Sequence, residues 1–402
     1  MRRFYHKDNV RITILVFLVN AGLYVAPARI SFLQPMAKAL GDFELTDLYF
    51  SQLRDDRAIT ADTNIVLVNI AELPRTGVAR ELEIIGRNNP KVIGIDAFFR
   101  RPKTAELDTP LARVCAGLSN LVFVNELLRW NADSARFDSV ATSLPLFTGN
   151  AQQGFANFLI RDDAFRTARE FTPQEKVDSS TELSFAVRIL KMYDSAAFSD
   201  LMARRKTTEF INYRGNTDKF LVLDATDVLE KKRDLSFLRD KIVLMGFLGP
   251  RLGAASLADA FFTPLNPRYA GKSFPDMYGV TIHANIISMA LHREYIGTVP
   301  LWLQIALAVV LCHLQVIFLS WLNERYSRWF DSVTTGIQLA EVVGVLFLTM
   351  YVFEQFHFKL DVTLSLVALV ASINVFEVYH SLIHRTLSAV KDKILRKSPT
   401  PS

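Results

Sequence analysis

Cysteine is scarce: Cys115 and Cys312 are the only two in 402 residues, the second inside an apolar run. Two thiols in such different surroundings supply no disulfide framework, and no CxxC or zinc-type spacing is present. Also missing are the GxSxG elbow, the phosphate-binding P-loop and HExxH. The segment GFLGPRLG has glycines but does not match GxGxxG. There is no internal repeat, low-complexity tract or Gly/Ser-rich linker. No catalytic residue, cofactor or metal is therefore expected, and the chain reads as a non-enzyme. Hydrolysis assisted by a metal on two carboxylates and a histidine is the lesser alternative.

Charge is not concentrated either. The formal net charge is +5, and the basic residues are scattered except at the two ends. Arg2, Arg3, Lys7 and Arg11 stand at the start, and Arg385, Lys391, Lys393, Arg396 and Lys397 at the finish. Without interleaved aromatics or a DNA-reading motif, these ends read as membrane-topology signals, and no nucleic-acid partner is expected.

Apolar residues, by contrast, are abundant. Half of the residues are hydrophobic and the mean hydropathy is +0.18, which calls for membrane segments. Four are expected: residues 12–30, 299–322, 332–353 and 362–383. The run VPLWLQIALAVVLCHLQVIFLSWL carries no formal charge and as a helix would span about 36 Å. Four spans put residues 1–11 and the basic tail 384–402 on one side, with the loop carrying Arg325 and Arg328. The positive-inside rule makes that side cytoplasmic. Residues 40–298 then lie outside the bacterial inner membrane, in the periplasm where there is one. Glu341 falls midway along its span, as an interhelical polar contact or as a protonated side chain beside a wet groove.

Between the first two spans, short apolar runs alternate with helical stretches. NIVLVNIAE, KVIGIDAFF, NLVFVNEL, EFINYRG and KIVLMGFLG read as strands. Residues 76–88, 107–118, 182–193 and GVTIHANIISMALHREY read as helices, and 129–173 as irregular. Continuous β-branched runs separated by helices predict an α/β fold, a mostly parallel or mixed sheet covered by helices. In such a sheet, ligands bind beyond the carboxyl ends of the strands. Glu72, Asp96, Asp259, Thr263, His283 and Asn285 are expected near that rim. They form either a pocket for a small polar ligand or cation, or a set of braces. In the second reading Asp96 and Asp259 cap helices or loops, while His283 and Asn285 hold the DAFFTPL loop. Arg214 reads as a solvent-facing turn residue, and Phe261 and Phe262 as anchors of their loop.

Several of these pieces, taken in order, resemble the CHASE2 extracytoplasmic sensory domain of bacterial membrane receptors. They are LTDLYFSQLR, IVLVNIAE, KVIGIDAFF, LVFVNEL, GFANFLIRDDAFRTAREF, LSFAVRIL, INYRGN, DATDVL, KIVLMGFLG, DAFFTPL and GVTIHANII, covering residues 45–295. The resemblance implies one membrane helix before the domain, about three after it, and a sensory role. It also implies a homo-oligomer, since such receptors commonly dimerise. Two features depart from the family. Its first strand usually carries an acidic pattern, where this chain has Asn69-Ile-Ala71-Glu72. Its receptors usually continue into an output domain, whereas the tail after residue 383 holds no ATP-binding, cyclase or phosphotransfer motif. The expected function is thus a sensor of a ligand or partner that signals through a separate effector or envelope protein. The helix ending near Arg293, and Glu341 in the membrane, are the expected coupling residues. A non-sensing anchor or scaffold of an envelope complex is the alternative, and an extracytoplasmic hydrolase the third.

Overall fold

The computed structural model describes residues 7–25, 44–158, 167–254, 256–267, 274–326 and 330–395. Arg2, Arg3, Arg328, Arg396, Lys397, residues 26–30 of the first expected span and LIRDDAFR of the family-like pieces lie outside the described residues. By its internal contacts the chain separates into two units, one made of Met1–Lys38 with Gly297–Ser402 and one of Ala39–Ile296. Helix α1 (Lys7–Val25) opens the first unit.

The second unit is an α/β body. Its strands and helices run β1 (Asp62–Asn69), α2 (Arg75–Gly86), β2 (Val92–Asp96), α3 (Ala105–Ala116), β3 (Leu121–Asn131), β4 (Arg136–Ala141) and β5 (Gln152–Phe155). The short strands β6 (Glu170–Phe171), β7 (Gln174–Val177) and β8 (Ser180–Leu183) lead to α4 (Phe185–Tyr193) and α5 (Ser195–Ala203). Then come β9 (Glu209–Phe210), β10 (Phe220–Leu223), β11 (Ile242–Gly246), β12 (Ala260–Phe261), β13 (Met277–Tyr278) and α6 (Gly279–His292).

The main sheet has the order β10-β1-β11-β2-β3, with β5 beside the first half of β3; all these pairings are parallel. The second half of β3 turns back on β4 as an antiparallel hairpin, and β7 and β8 extend that edge. The sheet is therefore mixed, parallel at its centre. Ile65 to Val68 of β1 and Ile242 to Met245 of β11 have no exposed surface, because both faces are covered. Alternation sorts them. Val66, Val68, Ile93, Ile95, Val243 and Met245 join α2 and α3 in one core. On the other face α4 lies over β2 and β3, and α6 over β1 and β11.

Three sequence expectations are corrected here. The helix expected from residue 182 starts at Phe185, because Ser184 takes the N-cap position and its hydroxyl accepts from the Val187 N–H. The strand read in EFINYRG is only β9. Beyond Ile211, whose N–H still bonds to the Arg169 carbonyl, the Arg214 and Gly215 N–H groups bond to Asn285 rather than to a neighbouring strand. The stretch read as irregular, 129–173, contains the end of β3 and the short strands β4, β5 and β6, of mixed polar content.

In the first unit, α7 (Leu301–Tyr326), α8 (Phe330–Phe356) and α9 (Thr363–Leu395) follow, with Gly297–Thr298 pairing Phe358–Lys359 in parallel as β14 and β15. All three helices are long and apolar enough to cross a membrane. Helix α1 packs Ile12 and Val16 against Cys312, Val316 and Leu319 of α7 and Phe376 of α9. Polar contacts tie the helices: Ser320 to Asn9 at 2.7 Å, Thr13 to His313 at 3.0 Å and Tyr379 to Asp8 at 2.9 Å. Glu341 accepts from the Gln315 amide at 2.6 Å, an α7–α8 contact. Cys115 and Cys312 are both free and buried.

Candidate functional site

The carboxyl ends of the central strands form one row. Asn69 of β1 is paired in register with Gly246 of β11, and Gly246 with Asp96 of β2. Asn69 is fully buried and uses both ends of its amide. Its Oδ1 accepts from the Ala71 and Leu248 N–H groups, and its Nδ2 donates to the Gly249 carbonyl and to Asp224 Oδ1. An amide suits this position because it must donate and accept at once, which a carboxylate cannot do.

Gly246 lets α6 come close. A Cβ there would stand 2.7 Å from Val280 Cβ, so the first turn of α6 sits directly on the end of β11. At that turn Gly279 donates its N–H to the Asp259 carbonyl at 3.1 Å and faces the Asp259 carboxylate. Asp259 itself has φ +53°, a conformation Asp tolerates better than most residues. A carboxylate at a helix N-terminus is favoured by the dipole and the open N–H groups.

Asp96 lies on the same face of β2 as Gly94, the face covered by Phe185 and Ile189 of α4. Removal from water pushes its carboxyl well above the usual range, and the nearby Asp259 raises it further. Asp259 is pushed up to about 6 by its surroundings, despite the Gly279 N–H that favours its ionised form. Two acids from distant parts of the chain thus meet at the rim, where a charge on Asp259 disfavours one on Asp96.

The neighbouring loop adds a third acid that sequence reasoning missed. Asp276 accepts from the Thr263 N–H at 2.9 Å, from the Thr263 hydroxyl, and from Asn266 Nδ2 at 3.2 Å. Burial raises it to about 6, against the pull of those donors. A cavity of about 290 Å³ opens beside it, with Leu257, Phe274 and Tyr278 among its walls. The cue was the acid three residues before the glycine that begins α6.

The other expected residues go elsewhere. His283 is buried between the rings of Phe158 (4.7 Å) and Phe185 (5.0 Å), and burial lowers it to about 3. Phe158 also meets Phe261 at 5.2 Å, so Phe261 is the loop anchor it was read as. Asn285 holds the 213–215 turn, not the DAFFTPL loop: it accepts from the Arg214 and Gly215 N–H groups and donates to the Gly215 and Thr281 carbonyls. Glu72 is exposed on the turn after β1. Arg293 ends α6 with φ +58° and pairs with Asp200 at 2.7 Å.

Arg214 is a correction. It is buried, not solvent-facing: its guanidinium donates to Ser288 Oγ (2.8 Å), Glu294 (2.7 Å) and the Thr60 carbonyl (3.1 Å). Ser288 in turn donates to the buried Asp62, which also meets His292 at 3.1 Å. This network clamps the last turns of α6 to the start of β1. Among the described residues, no three His, Cys, Asp or Glu side chains gather as metal ligands would.

An α/β body with a mixed sheet and acids at the rim of its parallel centre, carried by a chain with three membrane-length apolar helices, defines the broad class. The family model for the CHASE2 domain matches residues 16–319, and the chain belongs to that family. No curated protein and no solved structure matches the chain.

Proposed function

We propose that this chain is a multi-pass sensor of the bacterial inner membrane whose α/β body senses a small ligand or partner outside the cytoplasm. One observation carries the reading: the family match runs without interruption from within α1, through the body, and into α7. Body and membrane helix thus belong to one family unit. In this reading α1 is a fourth span and both termini are cytoplasmic, in keeping with the basic residues at each end. Ligand binding shifts α6, and the short segment from Arg293 to Leu301 hands that shift to α7. Binding can do so only by its differential affinity for two arrangements of the rim. The signal leaves through a separate effector protein, and the sensor works as a homo-oligomer without catalysing a reaction.

The rim supports this reading. The cavity beside Asp276 is at the small end of the range for ligand sites. Its apolar walls and the nearby Asp259 suit a small molecule with an apolar body and a hydrogen-bond-donating or cationic end. The test is a thermal-shift screen of the detergent-purified full chain against small amines and polar metabolites, repeated with Asp96→Asn and Asp259→Asn. Stabilisation by a compound that both variants weaken is the expected result. If no compound stabilises the protein and it instead copurifies in a fixed complex, the scaffold reading replaces this one.

A further inference from the structure

On α2, away from the rim acids, Glu81 is fully buried, and among the described residues neither of its carboxyl oxygens has a hydrogen-bond partner. A buried charge without a partner is among the costliest features a fold can carry. The side chain lies on the flank of α2 that packs on the helical turn Ala225–Leu229.

The charges around it do not help. From that turn it faces the Asp224 carboxylate, which is occupied by Asn69 Nδ2 and the Ala225 N–H at 3.0 Å each. Asp227 folds back onto the Asp224 N–H. On the outer face of α2, Arg80 and Arg87 are both closed on Glu83. On the flank toward α3, Arg75 is closed on Asp108. No cation among the described residues is paired with Glu81.

We propose that Glu81 makes the docking of α2 on the 225–229 turn proton-linked, so that this side of the body loosens as the surrounding medium turns alkaline. Asp224 is bonded to Asn69 at the end of β1 and to the Leu252 N–H, so loosening there reaches the strand rim. Burial, reinforced by Asp224, raises the Glu81 carboxyl to about 8 from an ordinary 4.5. The folded body keeps a proton that the opened chain has released. The stabilisation is therefore complete below about 4.5, declines as pH rises and is gone above about 8. Between 6.5 and 8 the rim acids Asp259 and Asp276, at about 6, have largely finished titrating.

The experiment uses the full chain in detergent, as wild type and as Glu81→Gln, with melting temperature measured from pH 6.5 to 8.5. The wild type should lose several degrees relative to the variant across that window. Tryptic cleavage at the exposed Lys231 and Lys232, just after the turn, should rise several-fold more with pH in the wild type than in the variant. Should Glu81→Gln fail to fold, Glu81→Leu serves as the comparison. Parallel melting curves and equal cleavage ratios would overturn the proposal.

Discussion

A side chain at Gly246 would press its Cβ to within 2.7 Å of Val280, where α6 meets the end of β11. Gly246→Val should therefore push α6 off the sheet and cost about 1–3 kcal/mol. Thermal unfolding of the full chain measures this; an unshifted melting temperature would contradict the packing described. At the rim, Asp259 is raised from 3.8 to about 6. Its protonated form is the one the fold prefers, so its stabilising contribution is full below about 3.8 and lost as pH rises through about 6. Part of the residue faces water, which keeps the effect small. Melting curves at pH 4 to 7 should slope downward more in wild type than in Asp259→Asn, and identical slopes would contradict the account. Asp96 and Asp259 were legible as rim residues because each follows or closes an apolar strand-like run. Asp276, Glu81 and the buried Arg214 were not, since nothing local distinguishes a buried acid or arginine from a solvated one; their burial comes from helices distant in sequence.

At the scale of elements, Asn285 on α6 is the brace for the 213–215 turn, making three hydrogen bonds to it and one to the Thr281 carbonyl of its own helix from a position with no exposed surface. Asn285→Ala strands buried backbone groups and should cost about 2–4 kcal/mol. The same thermal measurement reads it, and a loss as small as that of an exposed Asn→Ala control would show that the turn holds itself. The core strands β1, β2 and β11 were readable because a sheet covered on both faces demands uninterrupted Ile, Val and Leu. The end of β3, β4 and β5 were not, because their pairing is set by neighbours and their residues are mixed; β10 is apolar throughout but only four residues long. The start of α4 was misplaced by a few residues because the sequence 182–184 satisfies both a strand end and a helix cap; the Ser184 hydroxyl settles it.

For the whole molecule, the family membership and the three apolar helices α7 to α9 place this chain among membrane proteins with a CHASE2 domain. The central claim is that the α/β body stands outside the cytoplasm. Only its side of the membrane makes the rim a detector of the environment. The direct measurement is labelling of Asp218→Cys, at an exposed position of the body, with a membrane-impermeant maleimide in intact cells whose outer barrier is permeabilised. The native Cys115 and Cys312 are buried, so the wild-type chain, which carries only those two, serves as the blank. The account predicts labelling of Cys at 218 in intact cells equal to that in lysed cells. Labelling that appears only after the inner membrane is broken would contradict it.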